Sequence, residues 1–186
     1  MWEPWVGENF PERRTLILGE SCYDWDLDGV THRPRLDHPQ KVVKDAIEKL
    51  GDASTTMRKL TRAICGSESP KPEDAAKAWS RFAFTNYIPV SVGYGAAVRP
   101  SVEARALAAL EWAGLLDKLH PRTVIVLGKK LWSWMPATQR QLSRNVEGYV
   151  LRDGTFAMCF AIPHPSRGPT WKEYASLITE VEAAGT

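Results

Sequence analysis

Residues 15–26 read TLILGESCYDWD, and the interpretation of this stretch decides the fold. Leu16-Ile17-Leu18 is a short apolar run that stops at Gly19, the pattern of a strand buried on both faces of a sheet. Such a strand belongs to a mainly parallel sheet with helices packed on each side. Directly after it come a carboxylate (Glu20), a hydroxyl (Ser21), a thiol (Cys22) and a phenol (Tyr23). Ligands of open α/β sheets bind beyond the carboxyl ends of the strands, so this polar cluster stands where chemistry is expected.

Working outward, three more runs have the same character: Phe82 to Tyr87, Thr123 to Leu127 and Phe156 to Ile162. Helix signals separate them. One helix is predicted from Asp37 or His38 to about Leu50, a second from Ser54 to Ile64 and a third from Pro72 to Arg81. Ser101 to Leu119 is the clearest helix, with Ser101 as its cap and Val102, Ala106, Leu110, Ala113 and Leu116 on one face. Short helical turns are expected over Lys129–Trp134 and Thr138–Arg144, with a minor strand over Tyr149–Arg152. A closing helix starts at a Thr170/Glu173 capping box and runs to near Gly185. Residues 1–13 are expected to pack on the domain as an ordered arm. Asp26 to Gly29 reads as a turn, Thr31 to His38 as a basic mobile loop, and SVGYGAAVRP as an irregular glycine-rich loop. The GxG within that loop is a weak phosphate signal, because Val98 stands where a dinucleotide fingerprint needs a small residue. The prediction is one α/β domain over residues 1–186, a three-layer sandwich around a mainly parallel four-stranded sheet.

Composition narrows the function classes. Hydrophobic residues make up 44% and charged residues 25% of the 186, as in an ordinary globular chain. No apolar stretch reaches the roughly 20 residues of a membrane span, and the N-terminus lacks the pattern of a secretory signal, so a cytoplasmic location is expected. Cys22, Cys65 and Cys159 are far apart with no CxxC pair, which argues against structural zinc or an iron–sulfur cluster and, for Cys65 and Cys159, for reduced buried thiols. A net charge of +2 neither requires nor excludes nucleic acid, since a local basic stripe is enough for phosphate contacts.

The predicted strands deliver Glu20 and Tyr23, then Asn86, then Lys129, then His164 and Ser166 to one sheet edge. A carboxylate beside a histidine suits hydrolysis: the first orients water or stabilises a cation, the second stabilises developing negative charge. Asn86 offers both a donor and an acceptor, matching the amide-like edge of a nucleobase. Each also has a plain structural role open to it. Glu20 can cap the next helix, Asn86 can be a turn residue, and His164, between two prolines, can be a satisfied loop histidine.

Four motifs in order resemble the uracil-DNA glycosylase superfamily. GESCY after an apolar strand is similar to its first motif, with versions G-E-x-P-x and G-x-D-P-Y. HPSRG is similar to its second motif, FAFTNYIP to the strand ending in the base-reading asparagine, and PRTVIVLGKKLW to the strand and helix start before the final motif. The resemblance covers about residues 14 to 175. It implies a DNA glycosylase that flips out a modified base and hydrolyses its N-glycosidic bond, leaving an abasic site. Glu20, Asn86 and His164 would be catalytic. Gly19, Ser21, Tyr23 and Phe84 would form the base pocket, and Ser166, Arg167, Lys129 and Lys130 would contact DNA.

Cys22 replaces the motif's proline, and Ser21 stands where one subfamily has an aspartate, with Asp24 and Asp26 as fallback carboxylates. The resemblance implies a monomer with no cofactor and no metal, lacking the cluster cysteines of some branches. Uracil and hypoxanthine, as in repair, and glucosylated 5-hydroxymethylcytosine, as in anti-phage defence, are the substrates implied. Trp25, Trp132, Trp134 and Trp171, near the motif loops, keep the glucosylated base open, although core packing is the commoner role of tryptophan. A non-catalytic nucleic-acid-binding protein and a small-molecule nucleoside hydrolase are the rival classes.

Overall fold

The computed structural model describes residues 2–95, 98–143, 146–166 and 168–184. In chain order the elements are β1 (Trp5–Val6), α1 (Phe10–Arg13), β2 (Thr15–Gly19), β3 (Cys22–Leu27), β4 (Val30–His32) and α2 (His38–Glu48). They continue with α3 (Thr55–Cys65), α4 (Pro72–Trp79), β5 (Phe82–Asn86), β6 (Ser91–Tyr94), α5 (Val102–Leu119) and β7 (Thr123–Leu127). The last are α6 (Lys129–Trp132), β8 (Arg140–Ser143), β9 (Val146–Val150), β10 (Phe156–Ile162) and α7 (Trp171–Ala184).

The main sheet has seven strands among the described residues, in the order β1-β5-β2-β7-β10-β9-β8, so the expectation of four is corrected. The four expected strands, β5-β2-β7-β10, form its parallel centre. β1 is added antiparallel at one edge and the β9–β8 hairpin at the other. Side chains alternate between two cores. Leu16, Leu18, Ala83, Val124, Val126 and Cys159 pack towards α5, with Leu131 of α6 in the same cluster. Ile17, Phe82, Phe84, Ile125, Leu127 and Phe160 pack towards α2, α3, α4 and α7. Burial on both sides is why these strands read as continuous apolar runs. Three layers are present, as expected.

Three local readings need correction. The α5 face is rotated: Val102 is 66% and Leu110 81% exposed, whereas Ala108, Trp112, Leu115, Leu116 and Leu119 are buried. Apolar residues and alanines occupy about two thirds of this helix and lie on more than one face, so periodicity alone leaves the buried face ambiguous. Trp112 settles it by edge-to-face contacts with Tyr87 and Tyr149, at 5.8 and 5.6 Å between ring centres. Arg140–Ser143, expected to be helical, is the outer strand β8, because β9 offers it a ladder of backbone partners that outweighs local propensity. Arg144, the end of that expected helix, lies outside the described residues, as does Gly185.

The segment after Glu20, expected to be loop, is β3. It turns through Asp28 and Gly29, whose φ angles of 53° and 76° suit a type I′ hairpin, into β4. The glycine-rich stretch supplies β6, which pairs parallel with β3 across a bulge. A second sheet, β4-β3-β6, therefore hangs from the carboxyl edge of the first. The N-terminal arm is ordered as expected: Trp2 is buried and its indole N–H donates to the Ile88 carbonyl at 2.5 Å.

Candidate active site

The inner strands set the geometry. From β2 the chain crosses one face through α2–α4 to β5, then returns over the other face through α5 to β7. The direction of winding therefore reverses between β2 and β7, and the crevice beyond such a reversal is where ligands of open α/β sheets bind. Glu20 follows β2, Gly128 and Lys129 follow β7, Asn86 ends β5, and the segment containing His164 follows β10.

Gly19 and Asn86 are register partners on adjacent parallel strands. A Cβ on Gly19 would stand 2.4 Å from Asn86 Oδ1 and 3.5 Å from the Phe84 ring, so glycine is what lets the asparagine side chain lie across the strand end. The chain beyond is held in place by backbone bonds from Tyr87 N–H to the Gly19 carbonyl, at 2.8 Å, and from Ile88 N–H to the Glu20 carbonyl, at 3.0 Å. Asn86 is 9% exposed. Phe84 is buried beneath, edge-on to Trp79, and forms the floor of this corner.

On the other side of the reversal, Gly128 donates its N–H to the Ile162 carbonyl at 2.9 Å, and its φ is 124°. The space at its Cβ position is bounded by His164, with Cβ at 3.5 Å and Cδ2 at 3.6 Å. Ser166 N–H donates to His164 Nδ1 at 3.2 Å, and the Ser166 hydroxyl lies 2.8 Å from the same nitrogen. An Nδ1 that accepts from a backbone N–H leaves the proton of the neutral ring on Nε2. His164 is thereby fixed as an Nε2–H donor. Ser166, for which the resemblance implies a DNA contact, is exposed and occupied with this ring. The segment after it is tied down by Lys59 of α3, whose ammonium donates to the Gly168 and Pro169 carbonyls at 3.4 and 2.9 Å.

Glu20 is the carboxylate of the crevice. Its side chain is 12% exposed and its Oε1 lies 3.5 Å from Arg99 Nη1. Burial raises its pKa above the ordinary value, opposed by the positive charges of Arg99 and Lys130. The influence of Lys130, on α6, links the β2 edge to the β7 edge. The fallback acids are engaged elsewhere. Asp24 accepts from the Ser91 hydroxyl at 2.6 Å and lies 3.9 Å from Arg33, and Asp26 accepts from Gly29 N–H at the hairpin turn. Tyr23 is half-buried on β3, and the Ser21 hydroxyl is buried without a hydrogen-bond partner among the described residues. Burial also pushes the Cys22 thiol up to about 12, so at neutral pH it is an uncharged packing group.

Lys129 and Lys130 are exposed at the start of α6, and Lys130 and Arg105 both lie over the Trp134 ring. Trp25, 39% exposed, stacks between His32 and His38, while Trp132 packs on the α5 core and Lys172 covers Trp171. Arg167 lies outside the described residues.

Sequence reasoning missed Arg99 and the contact of Gly128 with His164. Arg99 lies near the end of the glycine-rich stretch, and the pairing of β6 with β3 brings that stretch back beside Glu20. The signal for Gly128 was present: a glycine ending a central strand, opposite a strand that ends in Pro-His-Pro.

Among the described residues, no helix is long and apolar enough to cross a membrane. The chain matches no protein-family model, and no curated protein matches it.

Proposed function

We propose that this protein is a DNA glycosylase acting on a modified base extruded from the helix. The observation that supports the reading is a desolvated carboxylate, an amide and an Nε2–H imidazole at the carboxyl ends of three strands of one parallel sheet. Breaking an N-glycosidic bond builds positive charge on the sugar and sends an electron pair to the leaving base. Water then supplies hydroxide to C1′ and a proton to the base. Glu20 suits the sugar side, where a fixed anion stabilises the cation and orients the water. His164 suits the base side, donating from Nε2 to the oxygen on which negative charge develops. Asn86 suits recognition, since its amide can pair with an O=C–N–H edge.

Lys129 and Lys130 are placed to neutralise phosphates beside the crevice, and extrusion of the base, at a few kcal/mol, must be offset by such contacts and by the pocket.

The test is release of base from DNAs carrying uracil, hypoxanthine, plain cytosine or glucosylated 5-hydroxymethylcytosine, with alkaline cleavage reporting abasic sites. Release from at least one modified DNA and none from plain cytosine is the expected result. DNA affinity should fall steeply with salt, by a log–log slope of about −0.9 per phosphate neutralised. Uracil or hypoxanthine as substrate indicates repair, and the glucosylated base alone indicates defence against modified phage DNA. Binding without release from any of them would leave a nucleic-acid-binding protein. Cleavage of free nucleosides with no salt dependence would make it a nucleoside hydrolase.

A further inference from the structure

A largely buried carboxylate such as Glu20 needs a partner to stay ionised and aimed. We infer that Arg99 is the positioning residue for Glu20, holding its Oε1 by a charge-assisted contact from across the crevice. The inference rests on the glycosylase reading for its catalytic consequence, though not for the pairing itself.

The two partners differ in kind. Glu20 follows the buried strand β2 and has a side chain 12% exposed, whereas Arg99 follows the β6 region and is 58% exposed, with Nη1 3.5 Å from Oε1. Arg99 sits between Gly95, whose φ is 97°, and Pro100, which is buried. Directly beyond Pro100, α5 is capped by the Ser101 hydroxyl, which accepts from Ala104 N–H. One side of the Arg99 segment is thus anchored by a helix start and a buried proline. The charged groups acting on Glu20 are Arg99, by contact and by charge, and Lys130 of α6, by charge alone. Among the described residues, Arg99 is the group that hydrogen-bonds the carboxylate, so it can set the orientation of Glu20 as well as its charge. A guanidinium suits the task because its planar fork of N–H donors matches the geometry of a carboxylate. The same exposure lets a phosphate approach Arg99 from outside while Glu20 remains beneath it.

The test is the titration of the Glu20 side-chain carboxyl by carbon NMR, assigned with Glu20→Gln, in the native protein and in Arg99→Gln and Arg99→Lys. Base release is followed against pH in parallel. In Arg99→Gln the Glu20 titration should move up by about one pH unit, the low end of what an adjacent opposite charge contributes. The acidic limb of base release should move with it, roughly a tenfold loss on the acid side that recovers as pH rises. Arg99→Lys should restore most of the shift. An unmoved Glu20 titration overturns the inference. So does a moved titration with an unmoved limb, or a change confined to KM, which would make Arg99 a phosphate contact only. If the native protein releases no base from any DNA while the titration still moves, the glycosylase reading fails and the Arg99–Glu20 pairing stands.

Discussion

Replacing Glu20 by glutamine should abolish most base release, by about 10³-fold in kcat, while leaving DNA binding intact and making the fold more stable at neutral pH. The catalytic loss follows from charge: the amide fills the same space but presents no anion to the sugar, and positioned acid–base groups contribute roughly 10²–10⁴-fold. The gain in stability follows from the raised pKa. In the folded protein burial disfavours the ionised form, so Glu20 takes up its proton more readily there than in the unfolded chain. The stabilising contribution of the protonated form is fully present below the unfolded value of 4.5 and is lost as pH rises through the higher folded value. At pH 7 the native protein therefore carries an unfavourable buried charge that Glu20→Gln removes. Arg99, the partner left behind, is exposed enough to be hydrated. A thermal denaturation series should show Glu20→Gln with the higher Tm at pH 7 and a difference that shrinks to nothing below about pH 4.5. Loss of stability at pH 7, or retained base release, would remove Glu20 from its role. A residue whose removal stabilises the fold and ends the chemistry is maintained for function rather than structure.

Which parts of this arrangement were legible in the sequence depends on how local their causes are. The four inner strands were legible because burial on both faces writes an unbroken apolar run, as in Leu16–Leu18 and Val124–Leu127. Glu20, Asn86 and His164 were legible for the related reason that a polar residue closing such a run must lie at the sheet edge. The Thr170/Glu173 capping box was also visible, and the structure shows its reciprocal bonds, Thr170 N–H to Glu173 Oε2 at 2.6 Å and Glu173 N–H to Thr170 Oγ1 at 3.4 Å. What could not be read has its cause at long range. β3, β6 and β8 are strands because a partner strand lies alongside, and their mixed polar and glycine-rich composition carries no period of its own. The buried face of α5 is selected by Tyr87 and Tyr149, about 25 and 37 residues from Trp112 in the sequence. The reach of Arg99 to Glu20 spans 79 positions, and the pairing of β6 with β3 brings the two together.

Gly19→Ala is the second substitution expected to have a large effect, and it acts through a neighbour. The φ of Gly19 is not in the left-handed region, so alanine costs the backbone nothing there, and the obstacle is the 2.4 Å approach of its Cβ to Asn86 Oδ1. That oxygen is the end of a side chain that can rotate away, so the fold should tolerate the change with a small shift in Tm. Asn86, however, would leave the orientation in which its side chain lies across the end of β2. Base release should drop by about 10²-fold, comparable to removing one well-placed hydrogen-bonding group from an active site. The decisive measurement is a double-mutant cycle. Asn86→Ala alone should cost a similar factor, and Gly19→Ala added to it should cost little more, because the group it displaces is already gone. Additive losses would mean that Gly19 is needed for its own sake, as room for the extruded base rather than for the asparagine. A large fall in Tm for Gly19→Ala would instead place the clash in the Phe84 and Trp79 core, since the Phe84 ring lies 3.5 Å from the new carbon. Non-additivity with an unchanged Tm would show that the strand pairing of β2 with β5 puts a glycine opposite an asparagine in order to aim it.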